Sequence, residues 1–210
     1  MRIRRPTQFL LIVLFLPVLF GLSGCPWSTD SKKPDDGGNT GYLEQTTITN
    51  VLQNLKKAYV EMNPDEYEKL LGHSQGGDAY DFEYIFDPND VGGDDNIPPS
   101  WGFDDEMVAT RNMFSKSEPN HDGYIAETIE LSFDAGTPTP ANDVNPGWQK
   151  VQLTGVNLYV DTRQSQSGEN LRYLVSGDQA DLYFAKTGNI WKIVRWVDRP
   201  IGLVAARQQS

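Results

Sequence analysis

Cysteine occurs once in this 210-residue chain, at Cys25, and histidine only twice, at His73 and His121. A single cysteine excludes a disulfide within the chain. With no H-E-x-x-H, no cysteine pair and two histidines far apart, a zinc site is not expected. Basic residues are scarce as well: 18 Lys and Arg face 29 Asp and Glu, for a net charge of −11. That balance argues against nucleic acid, whose phosphates need cationic partners, and against electrostatic attachment to anionic lipid. Long apolar runs are missing too, except for residues 9–20. That run is shorter than the roughly 20 residues a membrane-spanning helix needs. No internal repeat is visible.

What the chain does contain begins with an address. Arg2, Arg4 and Arg5 precede the apolar run, which is the build of a secretory signal peptide. The run ends in Leu22-Ser23-Gly24-Cys25, which resembles the bacterial lipobox. The resemblance implies that residues 1–24 are removed and that Cys25 is lipidated as the new N-terminus. One acyl chain holds a protein only marginally at a bilayer, whereas several anchor it stably. Pro26 follows the cysteine, not the aspartate of an inner-membrane retention signal, so the outer membrane is favoured over the inner. The mature net charge becomes about −14 by side-chain counting. Residues 25–44 carry PWSTDSKKPDDGGNTG and read as a flexible tether below a single domain at 45–210.

In that domain Ile48, Val51, Leu52, Leu55, Tyr59 and Met62 keep the spacing of one buried helical stripe. A second helix opens at Asn63-Pro64-Asp65-Glu66, with cap, first-turn proline and capping-box acid in order. It is expected to end with Gly72 as a left-handed residue. A third spans about residues 104–115, capped by Asp104 or Asp105, with Phe103, Met107, Thr110/Arg111 and Phe114 on one face.

Gly72-His73-Ser74-Gln75-Gly76 fits G-x-S-x-G, the nucleophile elbow of serine hydrolases. An elbow needs a strand before the serine and a helix after it. Here a helix ends at Leu71 and the alternating aromatics of residues 80–86 read as a strand. The order is reversed, so the stretch reads as a cap and a turn, and no catalytic residue is assigned. The acidic loop from Asp87 to Asn96 lacks the ligand spacing of an EF-hand, with Pro98 at the place of the final glutamate. It reads as solvated, and neither metal nor cofactor is expected.

Strand-like runs follow at residues 124–135, 148–162, 171–185 and 189–198, with no helices between them. That implies an antiparallel sheet. Gly155 suggests a bulge that curves it, and the last two strands form a hairpin across residues 186–189. Helices followed by such a sheet, closed by a strand reading W-x-I-x-R-W-x-D from Trp191 to Asp198, resemble the NTF2-like superfamily of SnoaL-like and ketosteroid-isomerase-like proteins. The resemblance implies an α+β cone, a curved antiparallel sheet wrapped around about three N-terminal helices. Tyr84, Phe86, Trp101, Trp191 and Trp196 are candidates to line its pocket, with ordinary core as the alternative.

Pairing Phe184 with Trp191 would place Leu182, Phe184, Trp191, Ile193 and Arg195 on the helix-facing side, as a candidate pocket. Arg195 would then meet either a helix-borne acid such as Glu66 or Asp105, or an anionic ligand. The reading is a lipid-anchored cell-envelope domain that binds a small ligand or a protein without catalysis. The alternative is an isomerase or cyclase of the same fold, which the fold alone does not decide. Expected partners are the membrane, through Cys25, and an unidentified ligand or protein, with a second copy through the sheet as a further option.

Overall fold

Apolar residues three and four apart fold α1 (Ile48–Glu61), whose buried stripe is Ile48, Val51, Leu52, Leu55, Ala58 and Tyr59. The computed structural model describes residues 41–88, 98–119, 123–164 and 170–199. Cys25, the tether up to residue 40, His121 and most of the acidic loop after Asp87 lie outside the described residues. Thr47 caps α1 by accepting the Asn50 N–H at 3.1 Å. Asn54, buried on the same helix, pins the entering chain by exchanging two hydrogen bonds with the backbone of Leu43.

Asn63 caps α2 (Pro64–Glu68) by accepting the Glu66 N–H, with Pro64 in the first turn. The third helix, α3 (Phe103–Met113), starts from Gly102 without a side-chain cap, so neither Asp104 nor Asp105 plays that part. Their carboxylates, with that of Glu106, occupy the first turn instead, where the helix dipole favours negative charge.

The strands are β1 (Glu83–Ile85), β2 (Ser100–Gly102), β3 (Tyr124–Ala135), β4 (Thr139–Pro140), β5 (Gln149–Gln164), β6 (Asn170–Thr187) and β7 (Ile190–Arg199). They form one sheet in the order β2-β1-β7-β6-β5-β3, with β4 also on β5. Gly155, at φ +57°, sits in a register shift between Leu153 and Val156, the bulge expected from the sequence. The class is α+β, a curved sheet packed on three helices. One expectation needs correction: the sheet is mixed, because β1 runs parallel to β7.

The parallel edge has a local cause at Gly72. Its N–H donates to the Ile193 carbonyl, and the Ile193 N–H donates to that of Leu70. The chain therefore pairs with β7, loops out, and returns to pair again at β1. The Phe82 N–H closes the loop on the Gly72 carbonyl at 2.9 Å. Gly72 is not a left-handed helix terminator, since the positive-φ glycines begin with Gly41 and Gly77 and omit it. It is glycine because a Cβ there would stand 2.5 Å from the Tyr80 carbonyl oxygen. Gly72→Ala should destabilise the fold by about 1–3 kcal/mol, the usual range for forced overpacking. Urea unfolding measures it, and a loss below about 0.5 kcal/mol would refute the close approach as the reason for glycine.

Candidate functional site

β7 carries the geometry of the site. Phe184 lies opposite Ile193, but Tyr183 lies opposite Arg195, so Val194 is an inserted residue. A bulge breaks strict alternation and moves every later side chain to the other face. Leu182, Phe184 and Ile193 remain on the helix side, fully buried in the main core, and Trp191 packs against that core. Val194 joins a second cluster on the opposite face, with Ala141, Trp148, Tyr183 and Ala185.

Arg195 goes with Val194. Its Cζ lies 5.6 Å from the Trp148 ring centroid, and its Nη2 donates to Glu83 Oε2 at 2.8 Å. The expected pairing of Phe184 with Trp191 is off by two residues, since Trp191 lies opposite Lys186; that slip keeps the faces, and it is the bulge that carries Arg195 to the other side. Arg195 is separated from the four apolar residues proposed beside it, and its partner is on a strand, not a helix. Both members are part-exposed, so the ion pair contributes at most about 1 kcal/mol.

After the bulge Trp196 and Asp198 turn toward the helices. There they line a cavity of about 180 Å³, with Tyr59 from α1, Tyr84 from β1 and Glu106 from α3. Leu131, Val156, Leu158 and Ala180 supply its apolar wall, and Gln179 is beside them. Tyr84 stacks on Trp196 with centroids 5.9 Å apart and planes at 27°, because the two are register partners across β1 and β7. Trp101 and Phe86 support the outer side of Tyr84.

Glu106 is buried and its carboxylate is fully engaged. Tyr67 Oη donates to Oε1 at 2.6 Å, Thr110 Oγ1 to the same oxygen at 3.2 Å, and Trp101 Nε1 to Oε2 at 2.9 Å. Burial pushes its carboxyl above the usual range, and the hydrogen bonds from Tyr67, Trp101 and Thr110 pull it back only in part. Tyr84 donates to Asp198 Oδ2 at 3.4 Å. Burial first, then the charge of Asp198, holds this phenol far above its ordinary value, so it stays a neutral donor.

Glu106 was missed from sequence although its signal was present. It stands three residues after Phe103, on the apolar face, and only its charge hid it. Tyr84 and Trp196 were among the aromatic candidates, and Asp198 closed the quoted strand motif. The elbow motif is a turn, Ser74–Gly76, in a 3₁₀ conformation. Ser74 Oγ donates directly to Asp81 Oδ2 at 2.7 Å, while His73 Nδ1 stays 3.9 Å from the other oxygen. A catalytic triad needs the imidazole between hydroxyl and carboxylate. Here it stands aside, stacked on Phe103.

No family model and no curated protein matches the chain. Solved structures with a related course include a protein from the NTF2-like family of Streptomyces avermitilis, described as a candidate dehydratase. It is 12% identical, with 76% of this chain and 96% of that one covered and a TM-score of 0.49. A Kribbella flavida protein is 10% identical over 75% and 90% of the two chains, with a TM-score of 0.48. An NTF2-like protein of unknown function in nutrient uptake from Rhodospirillum rubrum is 15% identical over 74% and 98%, at 0.43. Scores below 0.5 at such identities leave the reading of this chain to its own geometry.

The raised carboxyl of Glu106 sets a pH signature. Folding favours its protonated form, so that contribution is complete below the ordinary glutamate value of 4.5 and is lost as pH rises through the higher folded value. The stability of the protein relative to Glu106→Gln, followed by urea unfolding, should therefore fall as pH rises above the ordinary glutamate value of 4.5. A difference that grows with pH would show that the hydrogen bonds outweigh burial.

Proposed function

We propose that this protein is a lipid-anchored cell-envelope module in which an NTF2-like cone takes up a small ligand without transforming it. The observation that carries the reading is Glu106. General acid–base catalysis needs a group able to exchange its proton with a substrate. The buried carboxylate at this cavity already accepts from Tyr67, Thr110 and Trp101. Its work is to fix α2, β2 and α3 around the cavity, which leaves recognition to the remaining wall. A second reading, an isomerase or cyclase, draws on the Tyr84–Asp198 pair, where a neutral phenol stands beside a carboxylate at the cavity.

An apolar cavity of comparable size, about 150 Å³, holds a benzene-sized guest. Benzyl alcohol should accordingly raise the melting temperature of the protein, and Leu158→Trp, which fills the space, should abolish the rise. A shift that persists in the filled variant would place the guest elsewhere and end the cavity reading.

The anchor is tested separately. Cys25→Ser should leave the detergent phase in Triton X-114 partition and lose metabolic palmitate labelling. Equal labelling of both forms would remove lipidation, and with it the expected place at the outer membrane.

A further inference from the structure

We propose that the ligand of the cone is a linear alkyl or acyl chain whose tail enters the cavity and whose polar end stays at the rim. The proposal rests on the binding reading of the cavity and gives it a chemical class. Its basis is a second apolar space in line with the first. A groove of about 330 Å³ is lined by Met113, Tyr124, Ala126, Val160, Thr162 and Tyr173, with Asn112 beside them.

Three elements run past both spaces in the same order. On β5, Val156 and Leu158 line the cavity, and Val160 and Thr162 line the groove. These four alternate along the strand and so share one face, which spans about 20 Å at about 3.4 Å per residue. On β3, Leu131 belongs to the cavity and Ala126 to the groove. On α3, Glu106 and Met113 divide in the same way, about 10 Å apart along the helix. The groove end faces water, since Asn112 is exposed and Tyr173 is 44% exposed.

The walls do not select by charge. Glu106 accepts three hydrogen bonds, and burial favours its neutral form. Tyr59 is hydrogen-bonded to Tyr67, Tyr84 donates to Asp198, and Asp198 has a further interaction besides Tyr84. In the groove the Thr162 hydroxyl donates to the Leu171 carbonyl at 3.1 Å. These polar groups are engaged within the protein, so a charged guest would lose hydration without a partner to replace it. Hydrocarbon and ring surface remain, and they favour a guest in proportion to the apolar area it buries.

Shape then selects the chain. Among the described lining residues none is shared by the two spaces, so their junction beside Leu158 and Val160 is a constriction. A fused ring system is too broad to occupy both sides of it. A single file of methylenes is not. At about 30 Å³ per water-sized group, the cavity takes about six carbons, and the groove takes the rest up to a polar end near Asn112.

The test titrates n-alkanols of about four to ten carbons into the full chain by calorimetry. The protein is held in digitonin, a detergent with a rigid sterol body instead of an alkyl chain, and micelles alone serve as the blank. Affinity should rise about fourfold per methylene up to hexanol and at least about twofold per methylene from hexanol to decanol. Val160→Trp should remove the second rise while leaving hexanol within about twofold, and Leu158→Trp should abolish binding throughout. Tyr173→Ser, which adds no bulk, should cut the ratio of decanol to hexanol affinity at least about twofold. Decahydro-2-naphthol, rigid and equal to decanol in carbon number, should bind at least about tenfold more weakly than decanol. Hexanol binding with no gain beyond six carbons would overturn the chain class and leave the cavity reading standing. No binding of any alkanol to the folded protein would end both. A second rise that survives Val160→Trp and Tyr173→Ser alike, or decahydronaphthol binding as tight as that of decanol, would overturn the linear path through the groove.

Discussion

The inserted residue in β7 is the constraint on which this molecule turns. Up to Ile193 the strand sends alternate side chains into the helix-facing core. Val194 then interrupts the pairing with β6, and the phase reverses. A straight strand would send Arg195 inward and Trp196 outward. The bulge instead puts a guanidinium on the outer face beside Glu83 and an indole and a carboxylate into the cone. Reversing that phase in the interior would bury a charge away from its partner, a cost of several kcal/mol. The register of one strand therefore decides both the polarity of the cavity and the composition of the second cluster.

Around that strand the polar interior is organised by Glu106. Its three donors come from α2, β2 and its own helix, so one carboxylate connects elements far apart in the chain. Removing such a hub leaves Tyr67 Oη and Trp101 Nε1 without acceptors in a buried setting, which costs more than the bonds themselves contribute. The rings of Tyr59, Tyr67 and Phe114 meet edge to face at 5.2–6.2 Å alongside it, a geometry in which ring edges approach ring faces favourably.

Local chemistry was legible in the sequence, and register was not. Asn63 and Pro64 start α2 as their side chains dictate, and Gly155 marks a bulge at the position its flexibility suggests. The α+β class followed from helices succeeded by strands without crossovers. Gly72 was misread because a glycine after a helix has two uses, a left-handed turn or a close backbone approach. Only the path of residues 73–82 chooses between them. The bulge at Val194 has no glycine to announce it, since Val194 is not among the positive-φ residues and any side chain can stand there. Alternation therefore carried Arg195 to the wrong face. Glu106 lay on the apolar stripe of α3, but a carboxylate is assigned to solvent until its donors are known, and those donors are 4, 5 and 39 residues away in sequence.

Two of these failures meet at one place, which bears on how the site works. Gly72 and Arg195 both make contacts across the parallel edge where residues 70–72 and β1 pair with β7, whereas Glu106 is held by Tyr67, Trp101 and Thr110. At that edge Glu83, Tyr84 and Ile85 lie opposite Arg195, Trp196 and Val197 in strict register. Position 83 thus neutralises the cation that the bulge expels, and position 84 stacks on the indole that the bulge admits. The two faces are set together, because shifting β1 by one residue would unpair Glu83 from Arg195 and withdraw Tyr84 from the cavity in a single step. The ion pair is worth little as stability. Its larger consequence is positional: it marks the one register in which a neutral phenol, an indole and the Asp198 carboxylate share the same small space.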